Sequence, residues 1–223
     1  MSIRALLDHP LSQRVLPFNR VQTGNGPVKV RGLTRPMKKI FFRRFKRPLK
    51  RKTSSSKRTG IKVHRQIEVY AKTGKLPAKA HAFARQAVEF IEKKHLGAVL
   101  ASEVPLLSTK GRFLTHADLI CERAGELTVV SLKTGYSNPL NSGKATCDHL
   151  PGVKNSYLTH HQVQLGLEVA CVERDYGVEV KRAYILYVGF GPKKKLKVVP
   201  LAPWVRNMQD HLLETMAKHK NVG

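Results

Sequence analysis

Asp118 and Lys133 are the two residues whose types and spacing could do chemistry together, within Thr115–Gly135, THADLICERAGELTVVSLKTG. Two apolar runs, Ala117–Cys121 and Leu127–Leu132, flank a charged turn at Glu122–Glu126, and read as neighbouring strands. The first run carries Asp118; the second delivers Lys133 just before a Thr134–Gly135 break. A carboxylate can hold a divalent cation that polarises a phosphoryl oxygen and activates water. An adjacent ammonium can steady the negative charge that develops in the transition state. The pair therefore fits metal-dependent phosphodiester hydrolysis. Strand-end Asp–Lys pairs are also common as structural ion pairs, so the flanking elements carry the decision.

Those elements follow from periodicity. Val63, Ile67 and Tyr70 predict a helix over Ile61–Thr73, and Ala82, Phe83, Ala87, Phe90 and Ile91 a second over Lys79–His95, stopped at Gly97. Val99–Leu107 reads as a strand with a turn at Lys110–Gly111. A long polar loop, Tyr136–Asn155, precedes a helix over Ser156–Glu173. Lys181–Gly189 and Leu196–Val199 read as strands, and Pro203–Lys220 as a last helix with Trp204 in the core. The order α-α-β-β-β-α-β-β-α places the chain in the α/β (α+β) class, a mixed sheet flanked by helices.

In this order the chain resembles the PD-(D/E)XK nuclease superfamily, in its RecB-type branch with the mitochondrial genome maintenance exonucleases and, more distantly, lambda-type exonuclease. The matching residues are Gly60-Ile-Lys-Val-His64, Gly111 followed by Asp118, VVSLKTG, and Gln164-Leu165. They correspond to a GxxxH helix, a Gly…Asp strand, a (D/E)xK strand and a QxxxY helix, across about Gly60–Val188. The resemblance implies a restriction-endonuclease-like core and an exonuclease-like deoxyribonuclease using Mg²⁺ or Mn²⁺. It implies His64, Asp118 and the Leu132 carbonyl as metal ligands, with Glu103 as a further contact. Lys133 becomes the catalytic lysine, and Gln164 a DNA or active-site contact. Glu68, one turn beyond His64, could support the same site.

Two positions depart from the pattern. Ser131 stands where the (D/E)xK acid belongs, and Glu168 where QxxxY has tyrosine. Gln164 and Glu168 share a helix face at i, i+4. The expectation is that the acid has moved to Glu168, with Asp148 as second candidate. The alternative is a catalytically inactive fold kept for DNA binding or packaging. His160-His161 diverge by about 100° on a helix and are expected to be exposed or to contact phosphate.

Charge agrees with a polyanionic partner. Lys and Arg number 41 against 15 Asp and Glu, a net +26 over 223 residues, and 17 of those cations lie in residues 1–60 with only Asp8 opposing them. Such a field favours nucleic acid, with DNA the preferred polymer; a ribonucleoprotein component is a third class. Lys38–Arg58 holds 11 basic residues in 21, so residues 1–59 are expected to form a largely disordered or loosely ordered arm ahead of a nuclease domain over 60–223. Lys38, Lys39, Arg43, Arg44, Lys46, Arg47, Lys50, Arg51 and Lys52 would bind phosphates or an import receptor. Phe41, Phe42 and Phe45 could anchor this arm on the domain. Lys193, Lys194 and Lys195 form a second basic cluster at a hairpin tip. Nuclear location is the first expectation, with mitochondrion or virion as alternatives. The isolated Cys121, Cys147 and Cys171 argue against a disulfide framework. No run reaches the ~20 apolar residues of a membrane span.

Overall fold

The computed structural model describes residues 8–16, 20–23, 26–42, 54–94, 96–136 and 146–219. In chain order the first elements are α1 (Pro10–Gln13), β1 (Val15–Leu16), β2 (Arg20–Thr23), β3 (Gly26–Lys29) and α2 (Thr34–Phe41). Next come α3 (Ser54–Thr73), α4 (Ala82–Lys93), β4 (Ala98–Ser108), β5 (Phe113–Arg123), β6 (Glu126–Thr134) and a ribbon of β7 (Thr146–Cys147) and β8 (Leu150–Lys154). The chain continues with α5 (Tyr157–Asp175), β9 (Val180–Phe190), β10 (Lys195–Pro200), α6 (Pro203–Asn207) and α7 (Gln209–Lys218).

The central sheet has the order β10-β9-β6-β5-β4. Its β6–β9 pair is parallel and the others antiparallel, so the sheet is mixed and the α/β class holds. The parallel pair requires a crossover, which α5 supplies. Successive residues of β6 feed opposite cores: Leu127 and Val129 join α5, whereas Val130 and Leu132 join α3 and α4. Burial on both faces explains why this strand reads as an unbroken apolar run. Pro105 within β4 costs little because β4 lies at the sheet edge. The last helix is broken at Met208, whose ψ of 9° separates α6 from α7. No helix among the described residues is long and apolar enough to cross a membrane.

The expected arm over residues 1–59 needs correction where it is described. Gly32 bridges Leu114, and Leu33, Met37, Ile40, Phe41 and Phe42 enter the α5-side core. α3 starts at Ser54, ahead of the expected boundary. Enough apolar side chains lie among the cations to outweigh their repulsion. Arg31 reinforces the attachment by donating to the carbonyls of Gly111, Arg112, Met216 and His219. Arg43, Arg44, Phe45, Lys46, Arg47, Lys50, Arg51 and Lys52 lie outside the described residues. Phe41 is fully buried, so Phe41→Ala is expected to cost ~3–5 kcal/mol, read by urea unfolding; a dangling arm would give no change.

Candidate active site

The sheet forks where the site forms. The β5–β6 ladder runs from Arg123↔Glu126 to Leu119↔Val130 and stops there. Beyond it β5 stays with β4, and β6 stays with β9 as far as Thr134. The next pair would be Asp118 and Ser131. Instead, Asp118 Oδ2 accepts from the Leu132 amide at 2.6 Å and from Ser131 Oγ at 3.2 Å. The carboxylate thus satisfies an amide that the parted strand no longer serves. The N–H and C=O of a strand residue share one edge, so the Leu132 carbonyl opens on the same side.

Glu103 arrives from the neighbouring strand. Ser102 pairs with Leu119 and Val104 with Ala117, which sets Glu103 opposite Asp118. Like charges facing across strands are destabilising, and Glu103 holds a φ of 50°. A left-handed backbone at a side-chain-bearing residue costs ~1–2 kcal/mol and is characteristic of functional sites.

α3 brings the third group. It packs on β4 and β6, and Gly60 sets how closely: a Cβ there would lie 2.8 Å from Thr134 Oγ1. One turn later His64 Nδ1 sits 2.8 Å from Glu103 Oε1 and 3.7 Å from Asp118 Oδ1. Burial favours the neutral imidazole, but the hydrogen bond His64 donates to Glu103 and the charges of Asp118 and Glu103 outweigh it, and the pKa rises despite Lys133. One donor atom from each of His64, Glu103 and Asp118 lies within 4.8 Å of the others. Two carboxylates and an imidazole suit a hard or borderline divalent cation. Lys133 Nζ stands 3.9 Å from Asp118 Oδ2 with its side chain 13% exposed. The expected Asp–Lys pair is therefore brought together, with His64 and Glu103 beside it.

Gln164 and Glu168 approach from the other face, on α5. Glu168 Oε1 accepts from Gln164 Nε2 at 2.8 Å and Thr115 Oγ1 at 3.5 Å. Its Oε2 is buried and lacks a hydrogen-bond partner among the described residues. Burial pushes its carboxyl up to about 8, Lys133 opposing and Asp118 adding to the rise. Glu168 stands close enough to feel both groups, yet it is not among the clustered donors. Glu68 also stays outside that cluster, pairing with Lys72 at 2.7 Å, and Asp148 sits beside the Phe41 carbonyl in the β7–β8 ribbon.

The expectation of an exposed histidine pair is overturned: His160 and His161 are 4% and 8% exposed. His160 packs on Phe42 and bonds Asn155, while His161 lies between the hydroxyls of Tyr187 and Tyr136. α5 is buried on nearly all sides, so its two adjacent histidines both find protein partners. Lys38, Lys39 and Lys193–Lys195 are exposed. A cavity of about 540 Å³ opens over the fork, walled by α3 and the end of β6. Arg65, next to His64 in the chain, belongs to its wall and escaped the sequence reading; Lys57, two turns before His64, lines it too and was read only as part of the basic Lys38–Arg58 run.

No family model matches the chain, and no curated protein matches it. Among solved structures it is similar to a candidate exonuclease from Eubacterium rectale, at 13% identity over 73% of this chain and 68% of that one, with a TM-score of 0.43. It is also similar to the protein SSO0001, at 17% identity over 74% and 72% of the two chains, with a TM-score of 0.33.

Proposed function

We propose that the protein is a metal-dependent nuclease that hydrolyses DNA phosphodiester bonds at the β5–β6 fork. The observation that carries this is the convergence of His64, Glu103 and Asp118 within 4.8 Å, beside a largely buried Lys133. Two opposed carboxylates and a strained Glu103 backbone have little use without a cation between them. The donor set fits Mg²⁺ or Mn²⁺, held by His64, Asp118, Glu103 and the Leu132 carbonyl. Such a cation, when bound, polarises the phosphoryl group and activates water.

The chain's own residues supply the remainder. Asp118 is held in place by Leu132 N–H and Ser131 Oγ, so its second oxygen faces His64. Lys133 brings an ammonium close to the reacting phosphate and offsets its developing charge. Gln164 and Thr115 orient Glu168, a buried carboxyl on the α5 side that is held largely protonated and that a nearby cation would favour in its charged form. The cations of α2, of the segment after it and of the β9–β10 turn give the enzyme its attraction for a polyanion. Nuclear import through those clusters belongs to the same reading, as does membership of the RecB-type branch.

Addition of Mn²⁺ at a hundredfold excess over its dissociation constant should stabilise the fold by about 2.7 kcal/mol, and His64→Ala should abolish that gain in a thermal melt. Cleavage of labelled DNA should require the metal and fall ~10²–10³-fold in Lys133→Ala. A wild type that binds DNA but cleaves no form of it with either metal would establish the second reading, an inactive nuclease-like fold. Ser131 in place of an acid, with Glu168 held largely neutral, is the observation favouring that reading.

A further inference from the structure

Lys57, Arg58, Lys62 and Arg65 are all exposed on α3, and among the described residues none of them forms an ion pair. Arg58, Lys62 and Arg65 follow i, i+4, i+7 and therefore lie along one stripe. Ile61 stands among them, 56% exposed. An isoleucine so open on a helix that already has a buried face is not needed for packing.

This stripe is joined to the fork. The cavity over the fork and a second one of about 330 Å³ share Ile61 and Arg65 as walls. Among the described residues the second cavity is lined otherwise by Arg58, Lys62 and Gln66. The surface also continues away from the fork. Gln66 accepts from the His81 amide at the start of α4, and Gln86 of α4 donates to the Lys194 carbonyl. Three elements are thus fastened side by side with their cations outward. Burial, together with the positive charge of Lys62, Arg85 and Lys194, lowers the pKa of His81, so those cations act on one place.

We infer that the exposed stripe of α3, from Arg65 at the cleft to Arg58 and Lys62 and on to the Lys193–Lys195 turn, is a phosphate track that carries a DNA strand out of the cleavage site. This deepens the proposed nuclease function and rests on it. The track belongs to the folded domain, so affinity does not depend only on the basic segment that follows α2. At 1.5 Å of rise per residue, Arg58 and Lys62 stand about 6 Å apart along the helix, within reach of successive phosphates. Ile61 between them offers an apolar surface to a sugar or base.

The test measures binding of a fluorescein-labelled single-stranded DNA to the full chain in EDTA, over a series of salt concentrations. Without metal the measurement reads binding and not cleavage. Arg58→Glu/Lys62→Glu is expected to bind at least tenfold more weakly. Its salt slope should be shallower by about 1.4, two phosphates at ~0.7 each. Lys72→Glu/Lys93→Glu makes the same change in net charge at lysines already paired with Glu68 and Glu89, and should lose less than threefold. Equal losses in the two variants would overturn the track, because net charge alone would then explain binding. So would a first variant within threefold of wild type. Arg58→Gln/Lys62→Gln, checked by circular dichroism, gives the same reading if the charge-reversed protein fails to fold. A wild type that binds no DNA would instead defeat the nuclease reading itself.

Discussion

Asp118→Asn is expected to lower metal-dependent DNA cleavage by ~10³-fold or more, while the metal-free protein keeps its stability to within ~1 kcal/mol. Asparagine still offers an oxygen to the Leu132 amide, the 2.6 Å bond that anchors the side chain. It also removes the carboxylate facing Glu103 across the strands, which relieves repulsion in the empty site. What it cannot supply is the negative charge a divalent cation needs. A structural Asp118 predicts the opposite pair of results. Breaking a buried ion pair with Lys133 would cost ~3–5 kcal/mol and leave cleavage per folded molecule intact. Urea unfolding and a single-turnover cleavage assay on the same preparation separate the two.

Glu168→Gln should change the pH dependence of stability more than any other substitution at this site. The folded state pushes the Glu168 carboxyl up to about 8, chiefly by burial, whereas the unfolded chain loses that proton near ~4.3. The folded state therefore holds the extra proton between those values. Its contribution is fully present below about pH 4 and is lost as pH rises toward 8. At ~1.4 kcal/mol per unit the loss amounts to roughly 5 kcal/mol across the window. Glutamine abolishes this decline, so the variant should be a few kcal/mol more stable than wild type at pH 8 and no more stable at pH 4. Denaturant midpoints across that range read the result directly. The same variant should cleave ~10–100-fold more slowly, as loss of a group that orients a metal site does. A flat wild-type profile would mean that Glu168 is solvated or paired, and its role behind Ser131 would fall.

The readability of the two chain regions differed for a physical reason. From Gly60 onward, most elements bury one side against a partner, so period 3.6 and period 2 patterns mark them. Both β6 and α5 read correctly because their apolar stretches are long. Residues 20–42 misled because their cations dominate local composition, although Leu33, Met37, Ile40, Phe41 and Phe42 supply a buried stripe. Repulsion is a sum over exposed charges, whereas burial depends on which side chains share a face. His160 and His161 failed likewise, since adjacency on a helix excludes a shared ligand but says nothing about partners on two other elements.

By itself the sequence determined an α/β chain with an acid and a lysine on neighbouring strands and a histidine on a helix. These follow from local pattern and residue chemistry. Only the tertiary structure decided that β5 and β6 part at Leu119↔Val130, that Glu103 lies opposite Asp118 within reach of His64, and that Glu168 is buried on the far face. It also decided that Arg58, Lys62 and Arg65 stand exposed along α3 beside that fork. Each of these depends on groups distant in the chain meeting at one point, where desolvation and cross-strand charge set their state.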